Sequence, residues 1–123
     1  MNVTAAVLLA DDSQTIRSIV LKHLNNLGFT DVDVAEDGSS ALERLSQKQY
    51  GLLISDWEMP NMGGEELLKA VRQNSRCTKM PIIMMTGTIT RGVSWLAGAN
   101  AYLPKPFSEA DFAKAVKTAF AHR

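Results

Sequence analysis

The hydrophobic residues of this chain fall into short continuous runs, separated by stretches in which they recur at helical spacing. Val7-Leu8-Leu9 sits in an apolar run that stops at Asp11-Asp12, Leu52-Leu53-Ile54-Ser55 stops at Asp56, and Ile82-Ile83-Met84-Met85 stops at Thr86. Apolar runs of about four to eight residues closed by polar ones read as buried strands. Val32-Asp33-Val34 and Ala101-Tyr102-Leu103 are shorter candidates of the same kind. Between them lie the helices. Ser13 is placed to cap one that runs through Leu27, with Ile16, Ile19, Val20, Leu24 and Leu27 as its apolar face and Gly28 as its stop. Asp37-Gly38 opens a second, carrying Ala41, Leu42 and Leu45. A third runs from Glu65 to about Gln73 and buries Leu67, Leu68 and Val71. Ser108–Ala121 closes the chain, with Ser108 as N-cap and Asp111 in the first turn. The stretch from Gly87 to Gly98 is poor helix material, with Gly92 among β-branched and hydroxyl residues, and is assigned a short helix around Arg91–Ala97.

Strands that are apolar throughout, alternating with helices, specify an α/β fold: a doubly wound parallel sheet covered on both faces. In such sheets ligands bind at the carboxyl ends of the strands, beside the point where strand order reverses. The residues ending the strands are therefore the ones to inspect. They are Asp11 and Asp12 after the first, Asp56 after the third and Thr86 after the fourth, with Lys105 beyond the fifth. Taken singly, each has an ordinary structural reading as an N-cap, a turn residue, a loop or a solvated lysine. Their recurrence at successive ends of one sheet is what gives them weight. Carboxylates held close together repel one another unless a cation stands among them, and an all-oxygen set suits Mg²⁺. A carboxylate beside such a cation and a lysine is suited to nucleophilic attack on phosphorus, with Thr86 donating to a phosphoryl oxygen.

Composition narrows the function class. The 123 residues carry 13 Lys+Arg against 13 Asp+Glu, so there is no excess of cations to neutralise nucleic-acid phosphates. The longest apolar runs fall far short of the roughly 20 residues of a membrane helix. A lone cysteine, Cys77, leaves no internal disulfide and suits a reducing, cytoplasmic setting. Length and evenness of composition indicate one domain over residues 1–123. Cys77 in a loop, His23 and His122 on helix surfaces, and Met84 and Met85 in a buried strand are read as structural. Trp95 is divided between packing and a partner surface.

Four segments in this order resemble the receiver domains of two-component response regulators: Leu8-Leu9-Ala10-Asp11-Asp12-Ser13, Ser55-Asp56-Trp57-Glu58-Met59-Pro60-Asn61-Met62-Gly63-Gly64, Thr86-Gly87 and Tyr102-Leu103-Pro104-Lys105-Pro106-Phe107. With Ala35-Glu36-Asp37-Gly38, the likeness is strongest to the stand-alone chemotaxis regulators of that family and spans the whole chain. The resemblance implies a flavodoxin-like sheet of order 2-1-3-4-5. It makes Asp56 the phosphoacceptor. Asp11, Asp12, Asp56 and the backbone carbonyl of Glu58 become ligands of Mg²⁺, with Mn²⁺ as an alternative occupant. Thr86 and Lys105 become the phosphate-contacting pair, Thr86 and Tyr102 the switch residues, and Lys105-Pro106 a cis bond. The implied partners are a sensor histidine kinase and a downstream protein target such as the flagellar motor switch, with no nucleic acid and no membrane. The protein is then an acceptor and switch rather than a turnover enzyme. A phosphate sink, a receiver cut from a larger regulator, and a haloacid-dehalogenase-type aspartyl phosphatase are the rival readings. Two departures stand out. The Thr86–Tyr102 segment is shorter than usual in the family by about three residues, nearly one turn at ~3.6 residues. Glu58 stands where the stand-alone chemotaxis regulator has a neutral amide.

Overall fold

The structure, a computed structural model, describes residues 2–87 and 98–121. The described residues form five strands and four helices: β1 (Val7–Ala10), α1 (Gln14–Leu27), β2 (Val32–Ala35), α2 (Gly38–Gln47), β3 (Leu52–Asp56), α3 (Gly64–Gln73), β4 (Ile82–Thr86), β5 (Ala101–Pro104) and α4 (Glu109–Ala121). The strands are parallel, in the order β2-β1-β3-β4-β5. The short helix assigned around Arg91–Ala97 and the readings of Trp95 and His122 lie outside the described residues.

The apolar runs of β1, β3 and β4 are continuous because successive residues enter different cores. Val7, Leu9, Leu52, Ile54, Ile83 and Met85 pack beneath α1 and α4, against Val20, Leu24, Phe112 and Val116. Leu8, Leu53, Ile82 and Met84 point the other way, under α2 and α3, against Ala41, Leu45, Leu67 and Val71. Side chains alternate across a strand, so a strand covered on both faces has no polar side to show.

The helix ends follow the expected chemistry. Ser13 Oγ accepts from Ile16 N at 3.3 Å, and Gly28 takes the left-handed conformation (φ 105°) that ends α1. At α4, Asp111 N donates to Ser108 Oγ at 3.0 Å while Ser108 N donates to Asp111 Oδ2 at 3.1 Å, a reciprocal box with Asp in the third position. Two expectations on α1 need correction. Ile19 is 40% exposed, because only Val20 and Leu24 lie fully beneath the sheet and α4. His23 is not a surface residue. Its side chain is 15% exposed, packed against the rings of Phe107 and Phe112 at centroid distances of 6.2 and 5.5 Å.

Pro104 ends β5 on the edge of the sheet, in register with Thr86. It has no N–H to donate, and the Thr86 carbonyl accepts from Lys105 N at 2.7 Å. That bond brings Lys105 to the carboxyl edge. The Lys105-Pro106 peptide is cis, as expected.

Candidate functional site

Strand order reverses between β1 and β3, which are neighbours, and their carboxyl ends carry the aspartates. Ala10 is in register with Ser55, so Asp11 and Asp56 each stand one position further along adjacent strands. Asp11 and Asp56 are buried, and Asp12 is exposed. One carboxylate oxygen from each of the three lies within 4.8 Å of the others. Lys105 reaches in from beyond β5, its Nζ donating to Asp56 Oδ1 at 2.9 Å and standing 3.6 Å from Asp11 Oδ2. Thr86 is buried at the end of β4, one residue past Met85, the register partner of Asp56.

Asp11 is held from several sides. Its Oδ1 accepts from Ser13 N at 2.8 Å, and its backbone carbonyl accepts from Arg17 Nη1 at 2.8 Å. Its Oδ2 is buried and has no hydrogen bond. Burial is the main cause that pushes the Asp11 carboxyl above its usual pKa; the Asp56 and Asp12 charges add to it, against the Ser13 bond and Lys105. Such an oxygen costs free energy unless it meets a cation. Three carboxylates with one buried, unbonded oxygen therefore fit a divalent cation of the Mg²⁺ kind, which takes carboxylate oxygens and keeps several waters.

Backbone packing shapes the floor. Gly64 N donates to the Trp57 carbonyl at 2.9 Å, and a Cβ at Gly64 would press on the Asp56 carbonyl. Only glycine lets α3 begin this close to the acceptor strand. Trp57 N donates to the Met85 carbonyl at 2.9 Å, extending the β3–β4 pairing one residue past Asp56.

The sequence of the response regulator receiver domain, as a family, matches residues 7–117. The chain belongs to that family. This receiver is 39% identical over 105 residues to chemotaxis protein CheY of Pseudomonas aeruginosa, covering 83% of this chain and 85% of that protein. It is 35% identical over 113 residues to chemotaxis protein CheY-3 of Vibrio cholerae, covering 89% and 87%. Among solved structures, CheY4 of Vibrio cholerae matches with a TM-score of 0.87 at 34% identity, over 94% of this chain and 98% of that one. Response regulator protein TrrA of Thermotoga maritima, solved in complex with Mg²⁺ and BeF, matches with a TM-score of 0.85 at 28% identity, over 94% and 99%. Receiver domains bind Mg²⁺ at an acidic site, and this receiver presents such a cluster.

The sequence-predicted residues do not all converge. Asp11, Asp12, Asp56 and Lys105 meet, and Thr86 ends the adjacent strand. The Glu58 side chain is exposed and outside the carboxylate cluster. Tyr102 lies on the outer face of β5, 62% exposed, over a groove of about 560 Å³ that Lys114 and Thr118 also line. Sequence reasoning missed Arg17, whose guanidinium holds the Asp11 backbone; its spacing from Asp11, just over one helical turn past the cap, was the available signal.

Proposed function

We propose that Asp56 accepts a phosphoryl group from the phosphohistidine of a sensor histidine kinase, and that the phosphorylated receiver engages a downstream protein in a chemotaxis-type pathway. The observation that carries this reading is the buried Asp56 carboxylate, bonded to Lys105 and beside the unbonded buried oxygen of Asp11. Asp11, Asp12, Asp56 and the Glu58 carbonyl would hold Mg²⁺, or Mn²⁺ in its place. When bound, the ion supplies positive charge to the phosphoryl oxygens.

The chain's own residues do the rest. A carboxylate oxygen of Asp56 bonds to phosphorus as the bond from phosphorus to the donor imidazole nitrogen breaks, the electron pair leaving with the imidazole. Lys105, already 2.9 Å from Asp56, offsets the charge that accumulates. Thr86 donates its hydroxyl to a phosphoryl oxygen. Movement at Thr86 alters the outer face of β5, where exposed Tyr102 meets a partner. On this reading the partner is the flagellar motor switch, the setting is cytoplasmic, and residues 1–123 form one receiver that is phosphorylated and dephosphorylated rather than turning over substrate; relatives named as chemotaxis proteins support the chemotaxis part of it.

Incubation with acetyl phosphate and Mg²⁺ tests the acceptor. An acyl phosphate labile to acid, base and hydroxylamine, absent from Asp56→Asn and from samples held in EDTA, is the expected result. Equal labelling of Asp56→Asn overturns the assignment, and sustained turnover of a generic phosphomonoester would favour the aspartyl phosphatase.

A further inference from the structure

The loop after β3 carries the Glu58 carbonyl; Trp57 and Met59 pack against the core at its start, while Glu58, Pro60 and Asn61 are exposed. The exposed tip of the loop is held from across the site. Asn61 Nδ2 donates to Asp37 Oδ2 at 2.7 Å, and Gly38 N donates to the Met62 carbonyl at 2.9 Å. Asp37 is the N-cap of α2, its Oδ1 accepting from Ser40 N at 2.7 Å. One carboxylate thus caps a helix with one oxygen and holds the loop with the other. The contact is close: a Cβ on Gly38 would lie 2.7 Å from the Met62 carbonyl oxygen. Asn61 itself sits at φ 65°, a left-handed conformation that glycine adopts more easily. A glycine would ease the backbone but would lose the amide that reaches Asp37. The Ser40 and Asn61 bonds also hold the Asp37 carboxyl below its usual pKa.

We propose that Asp37 and Asn61 act as a positioning pair, a latch that fixes the loop bearing the Glu58 carbonyl and so sets the affinity of the acidic site for its divalent cation. The inference rests on the Mg²⁺ reading above. The latch works through the backbone and touches neither cation nor phosphoryl group. Outer contacts that orient a metal ligand typically change affinity by about 10–100-fold when removed. Because this pair is exposed and acts on one ligand only, the lower end is expected.

The test follows Trp57 fluorescence during titration with MgCl₂, in a Trp95→Phe background that leaves one indole. Asn61→Gly removes the amide while suiting the backbone. Asp37→Ser keeps a good N-cap but has no second oxygen for Asn61. Each is expected to weaken Mg²⁺ binding about tenfold, and the double variant no more than either alone. Asp37→Asn, which still caps and can pair with a flipped Asn61 amide, restores affinity to near wild type. Thermal melting in EDTA gives a readout independent of the cation, and Asn61→Gly should melt no lower than the parent. Wild-type affinity in both single variants overturns the latch, as does weakening in Asp37→Ser alone, which would trace to the cap. A parent protein whose fluorescence and melting ignore Mg²⁺ would instead remove the metal reading itself, and the latch's role with it.

Discussion

Asp11→Asn should stabilise the cation-free protein while abolishing its response to Mg²⁺. Asp11 Oδ2 is buried without a hydrogen bond, 3.6 Å from Lys105 Nζ and in a cluster with Asp56 and Asp12 whose oxygens lie within 4.8 Å. At an effective dielectric near 20, attraction to Lys105 at that distance is about 4.6 kcal/mol, and repulsion from Asp56 at the cluster's outer limit is about 3.5 kcal/mol. The balance is about 1 kcal/mol of net attraction, which the exposed and screened Asp12 reduces by a small repulsion. The remaining effect is the desolvation of a buried carboxylate oxygen that nothing bonds, a cost of about 1–3 kcal/mol. Asparagine keeps the acceptor for Ser13 N and drops the charge, and Lys105 retains Asp56 at 2.9 Å. A gain of about 1 kcal/mol in EDTA is expected, a rise of roughly 4 °C in Tm for a domain of this size. The sign with pH follows from the raised pKa of Asp11: its contribution favours the folded state below the ordinary value of 3.8 and is lost as pH rises through the folded value. The advantage of Asp11→Asn should therefore grow as pH rises through the folded value and vanish in acid. Mg²⁺ at about a hundred times its Kd should stabilise the wild type by about 2.7 kcal/mol and leave Asp11→Asn unmoved. Urea denaturation with EDTA or MgCl₂ measures both quantities. A variant less stable than wild type in EDTA, or one that gains as much from Mg²⁺, refutes the reasoning.

Gly64→Ala should destabilise by about 2–3 kcal/mol, since its Cβ would press on the Asp56 carbonyl and come within 2.9 Å of Trp57 Cα; chemical denaturation together with acyl-phosphate labelling checks that stability and acceptor chemistry fall together. Arg72 donates to the carbonyls of Gly98 (2.7 Å), Met80 (2.8 Å) and Thr78 (3.1 Å) and to Asn100 Oδ1 (2.8 Å). Lysine cannot reproduce that fork, so Arg72→Lys should cost about 2–4 kcal/mol by urea unfolding. The Tyr50 hydroxyl, donating at 2.6 Å, and then Lys48 hold the Asp33 carboxyl below its usual value of 3.8. That contribution, about 1 kcal/mol or less after solvent screening, is present above pH 3.8 and lost as pH falls through the folded value. Asp33→Asn should therefore be less stable than wild type at neutral pH and converge with it in acid, as a pH series of denaturation midpoints would show.

Most of the site was legible because its signals are local or repeat along the chain. An apolar run that stops at an aspartate announces a strand and its carboxyl end, and a parallel sheet brings all such ends together. Caps need only near neighbours, so Ser13, Gly28 and Ser108 could be placed from sequence. Ile19 and His23 could not. Helical spacing marks the apolar face of α1, but the width of that face depends on where α4 and Phe107 settle against it.

Among the described residues, the sequence by itself determined the order of elements, the parallel sheet, and which carboxylates, hydroxyl and lysine stand at its edge. Spacing and side-chain chemistry are properties of neighbouring residues and survive without coordinates. Only the tertiary structure decided that Asp11 is buried with an unbonded oxygen while Asp12 meets solvent. Only it could show that Glu58 turns its charge outward and that Asp37 reaches Asn61 across 24 positions of chain. Those facts depend on solvent exclusion and on contacts between distant segments. Both arise when the layers pack, and no local pattern encodes them.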